Sequence, residues 1–167
     1  KISPYKNLKL ALQQKDSSLV DRQWDAASRI DWFQSHMSRF APGLSLNFRD
    51  QLPNQLGLTI DGSLMTAFTP WKKNDPFYRF LPTSILHQIV PNPNKIAVLQ
   101  AFGGQVINQV LNSTSTQIDV QTENKILGEW LNKQYSESRV NIHPQPVRTF
   151  LAGSNKLYDL IWASLEG

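Results

Sequence analysis

A strand-to-helix turn is the first place in this chain where chemistry could reside. Gly103-Gly104 follows the apolar run Ile96-Ala97-Val98-Leu99 and precedes the helical pattern Val106, Ile107, Val110, Leu111. Free N–H groups at such a helix start can hold a phosphate or another anionic group. The pair is not a dinucleotide fingerprint, because no third glycine follows and Asn108 and Gln109 stand there instead. It is not a P-loop either, since no Gly-Lys-Ser/Thr is present. A tight strand-to-helix turn alone is the plainer reading of the two glycines.

Asp119, Glu123 and Lys125 have the types that hold a divalent cation and polarise a water in nucleases. That chemistry needs the acid-x-lysine pair on a strand. Thr122 reads instead as a helix N-cap, and the helix dipole accounts for Glu123 behind it. His36, His87 and His143 lie far apart, with no His-x-x-x-His pair, and the chain has no Cys. Thiolate sites, disulfides and a cysteine nucleophile are thereby excluded. No metal and no cofactor is expected. No serine lies in a Gly-x-Ser-x-Gly setting.

The segment Phe68 to Phe80 carries five aromatics and three cations: Phe-Thr-Pro-Trp-Lys-Lys-Asn-Asp-Pro-Phe-Tyr-Arg-Phe. Trp71, Lys72, Lys73, Phe77, Tyr78 and Arg79 could stack on bases and hold phosphates, or anchor a protein partner. The plainer reading is a long connection whose aromatics pin it to the core while its cations stay in water.

These residues sit in a chain of 167 residues with a formal charge of +4. Charged residues make up 18%, below the usual quarter or so, and 12 Asn and 14 Gln replace them. An amide-rich surface makes a weak field, so the charge alone does not mark a nucleic-acid binder. No apolar run reaches the roughly 20 residues that span a bilayer, and no signal-peptide pattern opens the chain. A soluble chain is expected. A cytoplasmic location is favoured, and an exported or processed form stays open because residue 1 is Lys.

The elements that must position these groups read as follows. A helix is expected from 5 to 14, and a longer one from 18 to 40, where Val20, Trp24, Ala27, Ile30, Phe33, Met37 and Phe40 recur at helical steps. Residues 44 to 69 read as a small antiparallel meander, with Leu44, Leu46 and Phe48 alternating. Asp61-Gly62 forms a two-residue turn between apolar runs. Next come a helix at 83–90, a buried strand at 95–102, a helix at 105–112, a strand at 116–121 and a helix at 122–135. Strands at 139–142 and 147–151 and a last helix from Gly153-Ser154 complete the pattern.

The fold class is therefore α/β or α+β: an N-terminal helical hairpin, a small meander, then alternating strands and helices in one mixed sheet. A single domain over 1–167 is expected, with a subdomain boundary allowed near 91–94. The leading functional expectation is a non-catalytic binding or assembly module. It would engage a protein or nucleic-acid partner through Trp71, Lys72, Lys73, Phe77, Tyr78 and Arg79, with oligomeric state open. The alternative is a small enzyme that binds a phosphorylated or anionic substrate at Gly103-Gly104.

Overall fold

The computed structural model describes residues 3, 5–35, 39–153 and 157–163. The chain is of mixed α/β class, with two four-stranded sheets and flanking helices. α1 (Asn7–Leu12) leads into an antiparallel sheet of β1 (Ser18–Trp24), β2 (Arg29–Gln34), β3 (Leu56–Ile60) and β4 (Leu64–Phe68), paired in that order. Two short 3-10 turns (Pro76–Phe80 and Pro82–Ile85) and α2 (Leu86–Ile89) connect it to the second sheet. There β5 (Lys95–Leu99), α3 (Gln105–Leu111), β6 (Gln117–Thr122), α4 (Lys125–Gln134), β7 (Val140–Pro144), α5 (Val147–Gly153) and β8 (Leu160–Ala163) alternate. Its strands are parallel, in the order β7-β6-β5-β8.

The class is the expected one, but the arrangement within it differs. In place of the expected helix over 18–40, residues 18–34 form the β1–β2 hairpin. Asp25 turns it by accepting from the N–H groups of Ala27 (2.8 Å) and Ser28 (3.0 Å), a local Asx arrangement that competes with helix. The "helical" spacing of Ile30 and Phe33 is a coincidence of β2 being covered on both faces, with Ile30, Asp31, Trp32 and Phe33 all buried. Met37 and His36 lie outside the described residues. Leu44, Leu46 and Phe48 form no strand; Leu46 is exposed, and Phe48 packs edge-on against Phe77 at 5.8 Å. The single mixed sheet is in fact two sheets. Residues 147–151 belong to a helix and 160–163 to a strand. The Leu160-Ile161-Trp162-Ala163 run finds its backbone partners beside β5 instead.

Asp61 and Gly62 have the expected positive φ, 52° and 69°, as a type I′ turn demands, but the link is three residues long, because Ile60 pairs with Leu64 and Ser63 lies between. One core joins the two sheets. Ile30, Trp32, Leu58 and Phe68 of the first pack with Ile96, Val98, Val106, Ile107, Leu127 and Trp162 of the second. Trp130 of α4 packs on the first sheet, its ring 5.7 Å from Trp32 and 4.8 Å from Phe68. No described helix is long and apolar enough to cross a membrane.

Candidate functional site

The strand order fixes where a crevice must open. From β5 the chain winds outward through β6 and β7 on one side, and β8 returns on the other. The strand order therefore reverses at β5, between β6 and β8, and such a switch point is where open α/β sheets bind ligands.

The chain leaves β5 through Gln100, at φ 55°, a left-handed conformation unusual for a side-chain-bearing residue. Gln121 holds it there. Its side-chain oxygen accepts from Gln100 N–H (2.9 Å), and its backbone carbonyl accepts from Ala101 N–H (3.0 Å). Its amide nitrogen donates to the Gln145 carbonyl (2.6 Å). One fully buried side chain thus braces the carboxyl ends of β5, β6 and β7.

The glycines behind this bend serve close packing. A Cβ on Gly103 would lie 2.4 Å from the Ala67 carbonyl oxygen of β4, and one on Gly104 would lie 2.7 Å from the Tyr135 hydroxyl. Gly104 also has φ +77°, which only glycine adopts without strain. Both are buried, and every residue of α3 is buried behind them. The open space lies beside the glycines. A cleft of about 430 Å³ is lined by Gln100 and Phe102 from the bend and by Thr122, Glu123, Asn124 and Lys125 from the end of β6. Asp25, Ala27, Ser28, Ile60 and Leu64 from the first sheet face them.

Asn124, not Thr122, caps α4: its side-chain oxygen accepts from Leu127 N–H (2.9 Å). Its amide donates to the Ser28 hydroxyl, tying the β1–β2 turn over the cleft. The Asp25 carboxyl is held below its usual range by the N–H groups of Ala27 and Ser28 and, more weakly, by Lys125. Glu123 is exposed, and Lys125 lies 4.0 Å from Glu129. Asp119 is not part of this group. It is fully buried, and its carboxylate takes Gln117 Nε2 (2.7 Å), Asn141 Nδ2 (3.1 Å) and the Tyr158 hydroxyl (3.0 Å). His143 Nε2 lies 3.3 Å from the same carboxylate. Among the described residues, no three His, Asp or Glu side chains gather as metal ligands. The backbone of His87 falls in α2.

The aromatic-basic segment divides. Phe77 and Tyr78 are buried, at 0% and 5% exposure. Tyr78 accepts from Asn108 Nδ2 (2.7 Å), and Trp71 is half-buried against the main core. Lys72, Lys73 and Arg79 point into solvent. The aromatic anchors that the binding-module reading needs are therefore interior groups.

No protein-family model matches the chain, and no curated protein matches it by sequence. Solved structures do. The chain is similar to a spermidine synthase in complex with the transition state analogue AdoDATO, with a TM-score of 0.58 at 15% identity over 88% of this chain. It is likewise similar to the spermidine synthase from Thermotoga maritima, with a TM-score of 0.56 at 15% identity over 87% of this chain. It spans 47% of the length of each of those chains. The likeness is one of fold, to two enzymes. Together with the burial of Phe77 and Tyr78, it overturns the expectation of a non-catalytic module working through residues 68–80. What the sequence lacked was any sign of Gln100, Phe102, Asn124 and Ser28 as a group. They are ordinary polar and aromatic residues, and only the strand order brings them together.

Proposed function

We propose that this chain carries the small-molecule site of an enzyme, and that the site is the cleft at the carboxyl ends of β5 and β6. The observation that carries the reading is the switch in strand order at β5, with the open cleft lying at its end. Its lining favours a ligand with hydroxyls and a flat apolar part. The Glu123 carboxylate can accept from a pair of hydroxyls, and Phe102 offers an apolar ring. Glu123 stands about 20 residues beyond Gly103, the interval at which related α/β folds place an acid on a ribose hydroxyl. Asp25 and Glu123 oppose a phosphorylated ligand, and Lys125 is the one cation among the described lining residues. A neutral, nucleoside-like ligand therefore fits better than an anionic one. The fold likeness to spermidine synthases, one of them holding a transition state analogue, supports an enzyme over a scaffold.

Calorimetric titration with adenosine and with 2′,3′-dideoxyadenosine tests this. The protein should bind adenosine saturably. Removing the hydroxyls, or making Glu123→Gln, should weaken binding about tenfold or more, as expected for a hydrogen bond to a charged acceptor. Absence of saturable adenosine binding, or equal affinity for both nucleosides, would refute the assignment.

A further inference from the structure

The first sheet has an outer face, turned away from the shared core, and it holds a second hollow. The floor is made of small residues. Gly57 and Ala67 are both buried, and the Phe33 ring lies so close across Gly57 that a Cβ there would meet it at 2.3 Å. α1 forms one wall. It is fastened by Leu8, fully buried, whose N–H donates to the Gly62 carbonyl (3.1 Å). Beyond that fastening, Leu10 and Ala11 stand off the floor and leave about 400 Å³ of free space, within the range of small-molecule sites. Leu10 and Met65, at 50% and 43% exposure, keep apolar surface at the mouth.

Among the described residues, one cation lines this hollow, Arg39. Among the described residues it forms no ion pair. Its neighbour Phe40 is fixed to the sheet by the Gln55 side chain, which accepts from Phe40 N–H (2.7 Å) and donates to Phe40 C=O (2.8 Å). Arg39 also borders an adjoining polar trough lined by Gln34, Ser35, Asn54 and Gln55, with Asp50 among its rim residues. An apolar slot with the Arg39 guanidinium at its edge matches a ligand with one anionic head and an apolar tail. The tail takes the slot, where removal from water drives binding. The head takes a bidentate, charge-assisted pair of hydrogen bonds from the guanidinium.

We propose that the hollow between α1 and the outer face of the first sheet binds a medium-chain monocarboxylate, with its carboxylate on Arg39. This site is separate from the cleft at β5 and does not rest on that reading. Decanoate and decanol serve as probes, titrated calorimetrically below the concentrations at which they aggregate. Wild-type protein should bind decanoate saturably, one per chain. Arg39→Gln should weaken decanoate about tenfold and leave decanol nearly unchanged. Ala11→Phe, which fills the slot, should remove both. No saturable decanoate binding, or equal loss of both probes in Arg39→Gln, overturns the proposal. So does self-association of the chain that Ala11→Phe abolishes without any decanoate uptake, since a second copy would then be the occupant. If Ala11→Phe does not fold, the split between probes in Arg39→Gln decides alone, because Arg39 is exposed and its replacement leaves the core untouched.

Discussion

Asn108 is the residue on which three parts of the molecule meet, and truncating it tests how residues 68–80 are held. Its amide donates to the Thr69 carbonyl (2.6 Å) and to the Tyr78 hydroxyl (2.7 Å), while its oxygen accepts from the Tyr135 hydroxyl (2.8 Å). Asn108 is fully buried, and Thr69, Tyr78 and Tyr135 are each at most 5% exposed. In Asn108→Ala the Thr69 carbonyl and the Tyr78 hydroxyl lose their donor with no water to replace it. Tyr135 is spared, because its one hydroxyl proton can turn to the Gly104 carbonyl (2.9 Å). Two orphaned buried acceptors at about 1–3 kcal/mol each give a loss of roughly 2–6 kcal/mol. That is a large part of a typical stability of about 5–15 kcal/mol, and it lowers the melting temperature by roughly 5–15 °C. Urea unfolding measures the loss, and a double-mutant cycle with Tyr78→Phe isolates the shared bond. The cycle should depart from additivity by about 1 kcal/mol. A loss under about 1 kcal/mol, or additivity within about 0.5 kcal/mol, would show that the segment is not held by this hub.

The same buried segment sets an alkaline limit on stability. Burial, aided by the Asp75 carboxylate and opposed by the Asn108 hydrogen bond, pushes the Tyr78 phenol up to about 12 from its ordinary 10.0. The unfolded chain ionises first, so this stabilisation is complete below pH 10 and is lost as pH rises toward about 12. Tyr135, raised well above its ordinary value by burial, acts in the same direction. Unfolding free energies measured across that window should fall, and fall less in Tyr78→Phe; identical profiles refute the assignment. On the first sheet, the Asp31 carboxylate is fully buried between Arg22 (2.5 Å) and Arg29 (2.7 Å), whose side chains are 34% and 29% exposed. Asp31→Asn should cost about 2–4 kcal/mol in chemical denaturation, the cost of a broken buried pair reduced by the partial exposure of both arginines. A loss below about 1 kcal/mol would mean that the two guanidiniums simply rehydrate.

The sequence was most legible where one physical rule acted alone. Asp61-Gly62 announced its hairpin because two consecutive positive φ values admit few residue types. Ile96 to Leu99 announced a strand buried on both faces because no polar residue interrupts it. It was least legible where two rules competed. β1 is an edge strand with almost every side chain exposed, and β2 is covered on both faces. Neither shows the alternation of a half-buried strand, and together they imitate a helix. Phe77 and Tyr78 looked like surface anchors because their neighbours Lys72, Lys73 and Arg79 are cations. Their burial depends on Asn108 and Phe48, which are distant in sequence. The two glycines were correctly placed between strand and helix, but their reason is the approach of β4 and Tyr135, a tertiary fact with no local signature. The cleft itself depends on which strand lies beside β5, and periodicity carries no information on that.

The way Trp32 and Phe68 lean on Trp130 has a consequence for the order in which the molecule can form during synthesis. The first sheet is translated well before α4, so one of its faces has no cover while the chain is still growing. The β1–β4 unit must wait with Trp32, Leu58 and Phe68 in water, or under the care of a chaperone, until the second sheet and α4 arrive to bury them. An interval with bare apolar strands is when a growing chain is most prone to aggregate. The short β3 and β4, with a tight turn between them, limit the length of strand exposed in that interval.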